Sequence, residues 1–338
     1  ELNHIVIEKD AIGHPTVSRF TERFPDAEIT TCGSPEDRPK CVGRVGSPRH
    51  AVYLGLRRGP YLKMFPQHPW YGVRDQCRYN LILGYNCTAS CRYCFVQTIF
   101  DDPIPTIFVD SAEMTTELRN FLSQTPDAGV STGEYIDSFL FDEITGHTRE
   151  LMDVFASFPE STLELRTKSA RIGHLPPDPI PQILVSYSVN PPDVVTFAEP
   201  ATPSLETRLI KAGELHDRGY RIALRIDPVI PAKEFEKGYR ALAGLVEQHL
   251  GWHRVYRVFL GVLRFDHALL ERLTQTAGGR QLIDSEFVPC PDGKYRPFTH
   301  QRVEIFRMLV GEIREYAPAI DFSITMEPDY VWRAVLGP

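Results

Sequence analysis

The sequence predicts an α/β protein built on a partial (β/α)6 barrel of the TIM type, preceded by a small N-terminal α/β region. Three observations carry that expectation. From Arg78 onward, short apolar runs alternate with longer stretches of helical periodicity. The apolar runs are nearly continuous, as strands covered on both faces are. The chain has 338 residues, 42% of them hydrophobic, enough for one such domain or two modest ones.

The N-terminal region is expected to span residues 1–76. Its strands read as Ile5–Glu8, Ala27–Thr31 and Ala51–Arg57, with a Gly/Ser/Pro loop at 33–39. The barrel region, 77–338, offers strands at Tyr79–Gly84, Ser138–Phe141, Leu163–Thr167, Ile183–Ser188, Arg221–Ile226 and Tyr256–Leu263. Helical stretches lie at Glu113–Ser123, Thr148–Ser157, Ser204–Arg218, Glu234–His249 and Asp266–Thr276. In the third of these, Leu205, Leu209, Ala212 and Leu215 recur at helical spacing, Ser204 is a candidate N-cap, and Gly219 is the stop. A closing helix presents Val303, Phe306, Leu309, Val310 and Ile313 on one face, and a last strand follows at Ile320–Thr325.

Composition narrows the function classes. The net charge is -7, so no global basic field draws in nucleic acid or an anionic membrane, although a local basic groove remains compatible with it. There is no run of eighteen apolar residues to span a bilayer. The opening Glu1-Leu2-Asn3-His4 does not read as a secretory signal, and the absent initiator Met suggests a processed start. A reducing cytoplasm is the expected compartment, because seven cysteines in so long a chain make a poor disulfide framework.

Three of those cysteines, Cys87, Cys91 and Cys94, fall in one loop after an apolar strand, with C-x3-C-x2-C spacing. In a barrel enzyme that is where the chemistry is placed. Three thiolates so close in sequence can converge on a soft metal centre, and three ligands on a four-iron cluster leave one iron open to a small molecule. A structural zinc site would normally need a fourth ligand from a second C-x2-C or a His pair, and none lies at such spacing. Cys32, Cys41, Cys77 and Cys290 are isolated and read as buried or free thiols.

A C-x3-C-x-aromatic-C loop after a first barrel strand resembles the signature of the radical S-adenosylmethionine (SAM) superfamily. That resemblance implies a [4Fe-4S] cluster on Cys87, Cys91 and Cys94, with SAM bound beside it. It also implies reductive cleavage to a 5'-deoxyadenosyl radical, and an external electron donor of flavodoxin or ferredoxin type. Tyr93 matches the aromatic that packs by the adenine. Beyond the triad, the chain resembles the spore photoproduct lyase family. The resembling stretches are Ala51–Arg58, Cys91–Thr98, Arg166-Thr167-Lys168, Ser186–Asn190 and Phe197–Leu209. By that likeness Lys168, Ser188 and Asn190 contact SAM. Gly133-Glu134 resembles the Gly-Glu element after the second strand, where the carboxylate accepts from the SAM amino group.

Two departures set the chain apart. The family's hydrogen-returning cysteine would fall at about Glu134 or Tyr135, and no cysteine lies between Cys94 and Cys290. The relay tyrosine after the last cluster cysteine is Phe95, which has no hydroxyl. Glu134 and Tyr135 are therefore the catalytic candidates, a phenol being able to pass a hydrogen atom, with Cys290 a remote alternative. The leading expectation is a lyase-like radical SAM enzyme acting on a small-molecule or nucleotide-type substrate. Repair of pyrimidine photoproducts in DNA comes second, and a non-catalytic metal-stabilised binding module third. The acidic balance counts against DNA, although Arg264, Lys294, Tyr295 and Arg296 form a short basic–aromatic set that could touch phosphate and stack a base.

Overall fold

The computed structural model describes residues 2–38, 50–71, 77–99 and 102–337. Cys41, the end of the 33–39 loop and the boundary at Gln76 lie outside them, as does the Cys77 side chain. Fifteen strands are formed among the described residues. The first three, β1 (His4–Glu8), β2 (Glu28–Cys32) and β3 (Ala51–Gly55), lie where the apolar runs predict. Then come β4 (Leu62–Met64), β5 (Cys77–Leu81), β6 (Gly84–Tyr85), β7 (Thr106–Phe108), β8 (Gly129–Thr132), β9 (Thr162–Thr167) and β10 (Ile183–Ser188). The last five are β11 (Arg221–Val229), β12 (Val255–Val262), β13 (Phe287–Pro289), β14 (Tyr295–Pro297) and β15 (Asp321–Ile324).

Eight of these make a curled, barrel-type sheet in the order β15-β12-β11-β10-β9-β8-β5-β4. Neighbours pair in parallel except at the β4–β5 edge, which is antiparallel. The predicted partial barrel is therefore present, with β15 extending it. Helices Ser111–Gln124, His147–Phe155, Leu205–Asp217 and Glu236–His249 connect successive strands. No helix among the described residues is long and apolar enough to cross a membrane.

Strand alternation decides what the barrel holds. On β9, Leu163 and Leu165 join the apolar core, as do Ile222, Leu224 and Ile226 on β11, packed with Leu205, Leu209, Ala212 and Leu215. Each such burial contributes about 1.5–3 kcal/mol. The intervening residues, Glu164 and Arg166 on β9 and Arg225 and Asp227 on β11, point to the opposite face. The inside of the barrel is thus charged.

A second sheet runs β2-β1-β3-β7-β6. Its last two strands, β6 and β7, come from either side of the cysteine loop and pair antiparallel with each other. The first barrel strand accordingly stops at Leu81, not Gly84. At Gly84 a Cβ would lie 2.1 Å from the Thr106 carbonyl oxygen, so only glycine allows that pairing.

Two further expectations are corrected. Ser138–Phe141 is not the second barrel strand; Gly129–Thr132 is. Asp137 and Ser138 turn the chain back, Ser138 by a 2.7 Å hydroxyl contact to Thr132, and Phe141 takes a left-handed conformation (φ 60°). Asp266–Thr276 is broken into His267–Thr274 and Ala277–Leu282, because the Thr276 side chain accepts from Gly279 N (3.0 Å) and caps a new helix.

Candidate active site

The cysteine loop leaves β6 and is bent at Asn86 (φ 62°) and Ser90 (φ 50°). The Asn86 amide donates to the carbonyls of Asp102 (2.8 Å) and Ile104 (3.1 Å), closing the base of the loop. Arg92 fastens its outer side to helix Pro192–Ala198, with the backbone N donating to Ala198 O (2.8 Å) and Nε to Phe197 O (2.7 Å).

Cys87, Cys91 and Cys94 together form one wall of a cavity of about 640 Å3. Gly133, Glu134, Tyr135, Lys168 and Ser188 line it too, and Arg272, Thr276 and Gly279 form part of its wall. Burial, helped by Asp137, pushes the Cys87 thiol up to about 12, and burial likewise raises Cys91 and Cys94. Bare thiols there stay protonated; a metal's positive charge is what would make them thiolates. Among the described residues no three His, Cys, Asp or Glu side chains gather closely enough to hold one metal ion. Three cysteines along a cavity wall suit a polynuclear centre, which takes them at separate corners.

Gly133 has φ +92°, and a Cβ on it would meet the Arg166 carbonyl oxygen at 2.5 Å. Glu134, next in the chain, accepts from Arg166 Nη1 (2.9 Å). The Asp137 carboxylate accepts from the Thr167 hydroxyl (2.8 Å) and from Lys168 N (2.7 Å), which fixes the start of the loop after β9. The Lys168 ammonium lies 5.8 Å from the Tyr93 ring centre. Burial would lower its pKa, but the charge of Glu199 and Cys91 outweighs this and raises it.

Tyr93 and Asn190 are not among the cavity-lining residues. Both are committed to a buried network behind the loop. The Tyr93 hydroxyl and Asn190 Nδ2 (3.0 Å) both donate to Glu199 Oε1. The Tyr239 hydroxyl donates to Asn190 Oδ1 (2.8 Å), and Arg208 pairs with Glu199 Oε2 at 2.6 Å. Glu199 and Arg208, almost fully buried, were not singled out from sequence. Their signal was two charges flanking the apolar start of a helix.

Tyr135 meets Phe95 edge-on (6.2 Å between centres) and Tyr85 likewise (6.0 Å), while Arg57 donates to the Tyr85 hydroxyl (2.6 Å). The basic–aromatic set turns inward. Arg264 grips Asp227 (2.8 and 3.2 Å), Arg296 grips Asp292 (both 2.7 Å), and Tyr295 stacks on Phe265. Lys294 alone has no carboxylate partner among the described residues; its ammonium reaches Met326 Sδ at 3.8 Å. Burial, with Arg264 and Arg296 beside it, lowers that amine to about 8, against the pull of Asp292 and Glu134. Cys290 sits in the β13–β14 turn, away from the cavity lining.

A family model described as spore photoproduct lyase matches residues 70–284. A curated spore photoproduct lyase of Clostridium acetobutylicum is 23% identical over 263 residues, covering 73% of this chain and 74% of that one. Another, from Geobacillus sp., is 21% identical over 251 residues and covers 70% of each. Among solved structures, a spore photoproduct lyase with a cysteine-to-alanine change and dinucleoside spore photoproduct aligns with TM-score 0.82 at 17% identity. That alignment covers 96% of this chain and 99% of that one. A doubly substituted form with bound AdoMet and the same dinucleoside gives 0.79 at 17% identity, over 95% and 98%. At that identity the structural likeness is one of fold.

Proposed function

The chain belongs to the spore photoproduct lyase family, and we infer that it is a radical SAM enzyme in which Cys87, Cys91 and Cys94 carry a [4Fe-4S] cluster and the adjoining cavity receives SAM. The observation that carries this is the sharing of one cavity wall by the three cysteines, with Gly133, Glu134, Lys168 and Ser188 beside them. When bound, cluster and SAM supply a 5'-deoxyadenosyl radical for hydrogen abstraction. The protein's part is binding and orientation. Lys168 offers a cation to a carboxylate, Glu134 an acceptor to an ammonium group, and Ser188 a hydroxyl to a ribose. Tyr93 is held by Glu199 as a fixed packing surface rather than as a donor to the ligand. An external flavodoxin- or ferredoxin-type carrier supplies the electron.

The substrate we assign is a small or nucleotide-type molecule with an anionic group, distinct from the dinucleoside photoproduct bound by the relatives. Two features support this. The residues about where the family returns a hydrogen atom are Glu134 and Tyr135, and Phe95 has no hydroxyl. The basic–aromatic set is spent on internal pairs, leaving Lys294 as its surplus cation.

Anaerobic reconstitution tests the first claim. The protein should bind iron, turn brown and form 5'-deoxyadenosine from SAM under a strong reductant, and Cys91→Ala should abolish all three. Cleavage surviving in that variant would refute the cluster assignment. For the substrate, turnover of dinucleoside photoproduct would assign repair instead.

A further inference from the structure

Three charged side chains on the inner face of the sheet and one from the loop after β8 form one continuous chain that ends in the cavity. Arg225 on β11 donates through Nε (2.8 Å) and Nη2 (3.1 Å) to the two oxygens of Glu164 on β9. Arg166, two residues along β9, gives Nε to Glu164 Oε2 (2.9 Å) and Nη1 to Glu134 Oε2 (2.9 Å). The far end is anchored where the Arg225 guanidinium lies 3.9 Å from the Phe259 ring centre. The Glu164 side chain is fully buried and that of Glu134 is 24% exposed. Glu134 and Arg166 line the cavity; Glu164 and Arg225 do not.

We propose that Glu164 and Arg225 are positioning residues, whose grip on the Arg166 guanidinium keeps one oxygen of Glu134 available as the cavity's acceptor for a protonated amine. The proposal rests on the reading that this cavity receives SAM. A guanidinium and a carboxylate left to themselves pair through two parallel bonds, which would occupy both Glu134 oxygens. Here the Nε bond to Glu164 fixes the turn of the Arg166 guanidinium, and one bond, from Nη1, reaches Glu134. Arg225 in turn holds Glu164 at both oxygens, so that carboxylate cannot follow Arg166 toward the cavity. Glu134 Oε1 has no protein partner among the described residues. The alternating signs keep each buried charge compensated, which a carboxylate inside a barrel requires.

Equilibrium binding of SAM to the reconstituted holoprotein, measured by calorimetry without reductant so that no turnover occurs, tests this. Glu134→Gln should weaken binding about tenfold, the scale of one hydrogen bond between charged groups. Glu164→Gln should weaken it several-fold with iron content unchanged, because Arg166 then closes on both Glu134 oxygens. The double variant should bind no more weakly than Glu134→Gln alone, a coupling that general loosening of the barrel would not produce. Wild-type binding in Glu164→Gln, alongside weakened Glu134→Gln, would overturn the positioning role. Wild-type binding in Glu134→Gln would instead remove the acceptor reading, and the proposal with it. Should Glu164→Gln fail to fold, Arg225→Lys keeps every charge but loses the two-point grip. It should show the same non-additivity with Glu134→Gln, and simple additivity would count against the proposal.

Discussion

At the residue scale, Gly133 shows how a motif can be legible while its reason is not. The Gly-Glu pair was visible in the sequence. The positive φ and the Arg166 carbonyl pressing on the site of a Cβ were not, since both depend on β9 lying alongside. Gly133→Ala is expected to cost about 1–3 kcal/mol of stability from backbone strain alone. It should also displace Glu134, so thermal unfolding and SAM affinity should both fall; an unshifted melting curve would refute the strain. Asn190 is the converse case. The family resemblance offered it as a SAM contact; in the fold its side chain is held by Glu199 and Tyr239, a direction that sequence position does not reveal. The basic–aromatic set was likewise readable as residues but not as pairs, because Asp227 meets Arg264 only in the folded barrel and Asp292 meets Arg296 across the β13–β14 turn.

At the scale of elements, two barrel strands were read best: the largely apolar β10 matches its predicted bounds, and β9, which alternates apolar and charged residues, differs by one residue. The second barrel strand was missed because Gly129–Thr132 is short and half hydroxyl-bearing, whereas Ser138-Phe139-Leu140-Phe141 looks like a strand but folds as a turn. Helix Leu205–Asp217 was legible down to its cap, since the Ser204 side chain accepts from Thr207 N (3.2 Å) as the sequence suggested. Ser204→Ala should cost about 1 kcal/mol, read as a lower denaturant midpoint with an unchanged m-value. No loss would show that tertiary contacts alone hold this helix start. The same helix carries buried Arg208 to Glu199, so its N-terminal turn and the Tyr93 support are mechanically linked.

For the whole molecule, the charged barrel interior sets the response to acid. Burial alone would raise Glu164, but Arg166 and Arg225 outweigh it and hold its carboxyl at about 2, against an ordinary 4.5. Asp142, Glu199 and Asp227 are also lowered despite burial, by His174, Lys168 and Arg264 respectively. A carboxyl lowered by folding stabilises the native state above its unfolded pKa and loses that contribution as pH falls toward its folded one. Buried His147, held neutral, adds a cost on protonation in the same direction. Stability should therefore decline steeply below about pH 4.5, seen as falling urea midpoints, and Glu164→Gln should flatten the decline. A profile level from pH 5 to 3 would contradict this. The barrel itself was legible from the alternation of runs and periodic helices. The second sheet's full membership was not, because a two-residue strand such as Gly84–Tyr85 carries no period.

That two-residue strand bears on how the protein matures. Since β6 and β7 are adjacent and antiparallel, the cysteine segment is a connection whose two ends are already tied by the N-terminal sheet. Closing a free segment of about twenty residues costs about 2.7 kcal/mol in chain entropy, plus a constant. In the folded chain the sheet meets that cost, so the ends of the cysteine segment are held by a layer that contributes no cysteine to the centre. Iron occupancy then becomes a gauge of that adjoining layer. A cavity cut into it, as by Val52→Ala, should lower the iron retained per chain while leaving all three cysteines in place.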